Sequence, residues 1–224
     1  MPADLHEPRV LAEVDERIEA LSVAGWRASP AQLARLLLGL WVFGTGEGLL
    51  VLAELGNSPW TVFAAGVGEQ TGWNIGTATI VVSFGVLLLW IPLRERPGLG
   101  TILNAIVIGV AIDVALALLD TPGSLLARWA LMLGGIALVG VGSGLYISAA
   151  LGRGPRDGLM TGIHLRTGWP IAGVRAGIEI SVLVAGVLLG GLAGVGTVAF
   201  ALLVGPAVAL ALRLLPARAG ASSS

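Results

Sequence analysis

The chain repeats itself. Shifted by 96 positions, residues 37–119 overlay residues 133–215 without a gap, and about 28 positions are identical. Gly44, Gly46 and Gly48 fall on Gly140, Gly142 and Gly144, and Pro59 falls on Pro155. Thr71-Gly72-Trp73 falls on Thr167-Gly168-Trp169, while Gly98, Gly100, Thr101 and Gly109 fall on Gly194, Gly196, Thr197 and Gly205. Apolar segments that resemble one another by chance do not keep glycines, prolines and tryptophans in register over such a length. One supersecondary unit is therefore built twice, and the fold must accommodate both copies.

The unit itself is apolar. Hydrophobic residues make up 55% of the chain and mean hydropathy is +0.89. Runs at 33–54, 75–93, 99–119, 125–150, 171–190 and 195–215 are each close to the roughly 20 residues a helix needs to cross a ~30 Å hydrocarbon layer. The reading is an all-α polytopic membrane protein of six transmembrane helices, with repeats at 31–120 and 121–216. A net charge of −1 supplies no basic field for nucleic acid. The absence of cysteine excludes disulfides and thiolate chemistry. Before the first run, Val10, Leu11, Val14, Ile18 and Leu21 recur at helical spacing among acids, which predicts an amphipathic cytosolic helix within residues 1–30. Its acidic face argues against anionic headgroups, and no cleavable signal is expected. Residues 217–224 read as a disordered tail.

Two stretches interrupt the runs, LGNSPWTVFAAGVGEQTGW at 55–73 and LGRGPRDGLMTGIHLRTGW at 151–169. Ser58-Pro59 and Gly154-Pro155 are helix starts, because proline presets φ and its missing N–H is unneeded in a first turn. The helices expected at 59–67 and 155–165 are too short to span. Backbone polar groups cannot stay unpaired in lipid, so such segments are buried in protein, line a cavity, or lie flat at the interface. If they dip inward, their N-terminal N–H groups carry partial positive charge suited to an anion.

Arginines, the only cations here, set the topology, because cytoplasmic loops retain them. Three crossings per repeat with a cytoplasmic N-terminus put Arg27, Arg35, Arg94, Arg96, Arg153, Arg156, Arg166, Arg213 and Arg218 at the inner side and only Arg128 outside. Four crossings per repeat would scatter them. An odd number of crossings makes the repeats inverted, with both termini cytoplasmic.

Ionisable residues within spans are costly, about 2.5 to 3.5 kcal/mol on insertion scales, and so mark candidate sites. Glu47, Asp113, Arg175 and Glu179 are such residues, and none is duplicated in the other repeat. Arg175 and Glu179, four apart, can pair on one helix face. Asn57, Arg156 and Asp157 belong to the short segments and complete the candidate solute-binding set. Each has a structural alternative, as ion pair, cap or positive-inside anchor. Glu54 is near a span end, and His164 reads as structural. Glycines spaced by four suit close helix packing. No metal or cofactor motif occurs, and two histidines without cysteine make a transition-metal centre unfavourable.

GLYISAALGRGPRDGLMTGIHLRTGWP and the following VRAGIEI, with LGNSPWTVFAAGV and PGLGTILNAIVIGVAID in the first half, resemble the YczE-type branch of the YczE/YyaS/YitT group of bacterial membrane proteins. The resemblance covers about residues 33–215 and implies an integral inner-membrane protein. The residues themselves suggest a secondary transporter or facilitator of a small, anionic polar solute, in which Arg156 and Arg175 attract the solute and Glu47, Asp113 or Glu179 couples a proton. The alternatives are a non-transporting membrane partner acting through its acidic helix, or a channel. An enzyme is disfavoured, since no nucleophile and base share a recognisable spacing. Small-residue faces permit a homodimer.

Overall fold

The computed structural model describes residues 25–215. The expected acidic helix and C-terminal tail lie outside them. Eight helices follow in order: α1 (Pro30–Ala53), α2 (Pro59–Thr71), α3 (Ile75–Leu93), α4 (Leu99–Leu118), α5 (Leu125–Ser148), α6 (Pro155–Thr167), α7 (Ile171–Leu188) and α8 (Val195–Leu214). Six are long and apolar enough to cross a membrane; α2 and α6, at 13 residues, are about 20 Å long and are not.

The helix ends are written in the sequence. Ser29 and Gln32 form the expected capping box at the start of α1, each side chain accepting the other's backbone N–H. Thr101 and Thr197 accept the N–H of Gly98 and Gly194 at the starts of α4 and α8. Thr-Gly-Trp is a C-terminal cap built twice. Gly72 and Gly168 take left-handed conformations (φ 75° and 69°) and donate to the carbonyls of Gly68 and His164. The Thr71 and Thr167 hydroxyls donate back to Val67 and Ile163, each at 2.8 Å, and accept the N–H of Trp73 and Trp169. This cap carries α2 about one turn past the expected 67 and α6 two residues past the expected 165.

Packing relies on missing side chains, as it must where lipid gives no hydrophobic drive between helices. α1 and α5 run antiparallel at the centre. Gly39 and Gly46 of α1 lie on Gly142–Tyr146 and on Gly135–Val139 of α5, and Gly135 and Gly142 return those contacts. The second glycine set turns elsewhere, Gly44 and Gly48 toward Ile108, Ala111 and Ala115 of α4, and Gly140 and Gly144 toward Ala207 and Ala211 of α8. One helix thus meets two neighbours at close range through two glycine faces.

The halves exchange their short helices. α2 packs on α7, where Gly66 meets Gly186 and Leu189, and α6 packs on α3, where Gly158 receives the ring of Trp90. The loops cross in the same way. Gly100 N–H donates to Leu151 O at 2.7 Å, and its counterpart Gly196 donates to Leu55 O, also at 2.7 Å. Gly56 and Gly152 (φ 111° and 122°) make the turns that bring these strands of chain together. The outer helices differ between halves. α3 lies on α4 with Gly76 against Gly109, whereas at Gly205, the counterpart of Gly109, the position a Cβ would take has no other described element within 4 Å. Exposed Leu88, Ile91, Ile180, Leu188 and Leu202 on the outer faces suit a hydrocarbon surround.

Candidate functional site

A single glutamate is sunk into the centre of the bundle. Glu47, 2% exposed, lies between Gly46 and Gly48 on α1. Its Oε2 accepts hydroxyl hydrogen bonds from Ser58 and Thr61, both at 2.8 Å. Ser58 is the N-cap of α2, so the carboxylate sits against a helix N-terminus, where partial positive charge favours it.

Beside Glu47 lies a cavity with about 70 Å³ for the centres of water-sized molecules, space for a handful of waters or a solute of a few heavy atoms. Its floor is the paired starts of the short helices, Trp60 and Thr61 from α2 and Pro155, Arg156 and Asp157 from α6. Phe43 and Glu47 of α1 form one side, with Tyr146 of α5. Thr79, Val82, Ser83 and Val86 of α3 and Asn104, Ile108 and Ile112 of α4 line the rest, so most of the wall is apolar.

Three polar features give the cavity its character. The Arg156 guanidinium stands 5.5 Å over the Phe43 ring, a cation–π contact. Among the described residues it has no acidic partner within ion-pair distance. Burial works against its charge, while Asp157, and beyond it Glu47 and Glu179, favour it. Asp157, in the first turn of α6, accepts the Tyr146 hydroxyl at 2.8 Å. The Trp60 Nε1–H is buried and finds no acceptor among the described residues, although its residue lines the cavity. Such an orphaned donor costs free energy unless water or a ligand supplies its partner.

Of the candidates read from the sequence, Glu47, Arg156 and Asp157 come together here. The other four lie outside the cavity lining. Asp113 Oδ1 accepts the Gly76 N–H at 2.7 Å and so caps α3, whose own N-cap Asn74 makes no side-chain capping bond. Arg175 and Glu179 pair with each other at 3.1 Å one turn apart on α7, with the Arg175 side chain 57% exposed and that of Glu179 27%. Asn57 is buried, its N–H donating to Leu192 O and its Oδ1 unpartnered. Glu54 pairs with Arg128 at 3.0 Å, and His164 Nδ1 lies 2.6 Å from Trp169 O at the end of α6. No group of three metal-binding side chains occurs among the described residues.

Trp60, Tyr146, Asn104 and Phe43 were not singled out from sequence. A signal for Trp60 existed: it is the 96-residue counterpart of Arg156, and both are the second residue of a short helix. Tyr146 is the chain's lone tyrosine.

Six helices are long and apolar enough to cross a membrane, and four of them, with the starts of the two half-length helices, enclose a small cavity that holds Glu47, Arg156 and Asp157; together they define a multi-pass membrane protein with charged groups at an internal site. The chain belongs to DUF6198, a family of unknown function, whose match covers residues 31–213. It is 44% identical over 190 residues to an uncharacterized protein of Haemophilus influenzae, covering 85% of this chain and 87% of that one. It is 35% identical over 173 residues to the uncharacterized membrane protein YczE of Bacillus subtilis, covering 75% and 79%, and 25% identical over 164 residues to YyaS of the same organism, covering 71% and 82%. The resemblance noted in the sequence is thus a family relationship. No solved structure matches the chain.

Proposed function

We propose that this protein is a secondary transporter or facilitator for a small polar solute bearing an anionic group. The observation that carries the reading is Arg156, a guanidinium without an acidic partner among the described residues, facing a cavity shared by both half-helix starts. Binding rather than catalysis suits the cavity, whose described lining has carboxylates, hydroxyls and an amide but no histidine.

In this reading the two repeats are inverted about a pseudo-two-fold axis in the membrane plane. The antiparallel α1 and α5 support it, because counterpart helices related by such an axis must run in opposite directions. The reciprocal Gly100–Leu151 and Gly196–Leu55 bonds support it as well. The protein sits in the bacterial inner membrane with both termini cytoplasmic, α2 entering from outside and α6 from inside. Glu47, held by two hydroxyls in the same cavity, is the group placed to exchange a proton with the solute's passage.

The test is a thermal-unfolding screen of the detergent-purified protein against anionic and cationic metabolites, followed by uptake of any hit into proteoliposomes. A ligand at 100 times its dissociation constant should add ~2.7 kcal/mol of apparent stability. Saturable uptake that Arg156→Ala reduces at least tenfold is expected. Uptake indifferent to Arg156→Ala would overturn the assignment, and flux without saturation would point to a channel.

A further inference from the structure

The cavity holds both signs of charge, and they are not neutralised against each other. Glu47 and Asp157 are acidic and Arg156 is basic, a formal excess of one negative charge. The N-termini of α2 and α6 both open on the same space, and each carries roughly half a positive charge. The site is therefore near neutral as a whole while remaining polarised within. A simple anion would satisfy Arg156 but would lie in the same small space as two carboxylates. A simple cation would leave Arg156 unanswered.

The donors and acceptors are also sorted. Arg156 and Trp60 occupy equivalent positions on the two short helices; among the described residues the first has no acid within ion-pair distance, and the second has a buried indole N–H with no acceptor. The carboxylates are differently placed. Glu47 takes both of its hydroxyl bonds on Oε2, and Asp157 takes the Tyr146 hydroxyl on Oδ2, so each has a second oxygen that accepts no hydrogen bond from these hydroxyls. Ligand donors can meet those oxygens while ligand acceptors meet Arg156 and Trp60.

We propose that the cavity takes a small zwitterion, of the class of short amino acids, with its anionic group on Arg156 and the Trp60 Nε1–H and its ammonium between Glu47 and Asp157. This rests on the reading of the cavity as a solute site and narrows its ligand. The size of the cavity suits a ligand of a few heavy atoms, so a preference for short side chains is expected.

The experiment compares alanine with its two halves, propionate and ethylamine, and glycine with acetate and methylamine, by thermal unfolding and calorimetry of the purified full-length protein. At least one of the two amino acids should bind at least tenfold more tightly than either of its halves. Arg156→Gln should weaken it about tenfold or more, as expected for loss of a charged hydrogen bond. Trp60→Phe, which keeps an aromatic ring but loses the five-membered ring with its N–H, should weaken it severalfold without loss of fold. Glu47→Gln should bring propionate level with alanine or above it. Propionate binding the unaltered protein as tightly as alanine would overturn the zwitterion and leave the anion carrier standing. Neither amino acid binding, while the metabolite screen finds another anion, would do the same; failure of both panels would remove the solute site itself.

Discussion

Gly158 is where one atom matters most. Any Cβ there would run into the ring of Trp90, whose Nε1–H donates to Pro155 O at 2.9 Å and so locks α3 to the start of α6. Gly158→Ala should lower stability by about 1–3 kcal/mol, the usual cost of overpacking, seen as a lower unfolding midpoint in detergent. Trp90→Leu in the same chain should recover part of that loss. A neutral Gly158→Ala would contradict the close packing. Asp113 makes the opposite lesson. Its charge within a span was readable from sequence, but its partner, the Gly76 N–H, lies 37 positions away. An intramembrane acid looks the same whether it binds solute or caps a helix, and only the fold separates the two. Asp113→Ala should therefore cost about 1 kcal/mol of stability, as loss of an N-terminal cap does, with ligand affinity within twofold of the parent. Asp113→Asn, which retains an acceptor, should be milder.

Among the elements, the short helices were legible at their beginnings and less so at their ends. Proline after Ser58 or Gly154 announces a first turn. The terminal Thr-Gly-Trp was visible as a repeated mark, but the hydroxyl back-bonds that make it a cap depend on the helix already being there. Gly72 and Gly168 have open space around the position a Cβ would take, so the cost of substitution comes from backbone conformation rather than crowding. Gly168→Ala should destabilise by about 1 kcal/mol and Gly168→Asn by less, because asparagine tolerates the left-handed region. Equal midpoints for the two variants would argue against that origin. The long helices were readable to within two or three residues, because breaks such as Asp120-Thr121-Pro122-Gly123 are strongly polar or contain proline. The destinations of their glycine faces were not, since period alone does not say that Gly39 and Gly46 meet α5 while Gly44 and Gly48 meet α4.

At the scale of the molecule, the duplication predicted two like units but not how they join. Each short helix touches the third helix of its own half but packs more extensively on that of the other, and the cavity forms where the two starts meet. Half of the candidate site was accordingly legible. Glu47, Arg156 and Asp157 carry charge and declare themselves, whereas Trp60, Tyr146 and Asn104 acquire a role only when six helices converge. The units are also unequal, α3 lying against α4 while Gly205 of α8 meets no other described element. Alternating access through this fold requires the two copies to face opposite sides of the membrane. Asn74 and Pro170 are counterparts 96 positions apart, both exposed, at the starts of α3 and α7. Because the chain has no cysteine, Asn74→Cys and Pro170→Cys can each be labelled in intact cells with a membrane-impermeant maleimide. Labelling of Asn74→Cys from outside, with Pro170→Cys reached only after permeabilisation, is the predicted result. Both positions labelled from the same side would contradict the inverted arrangement and the carrier reading built on it.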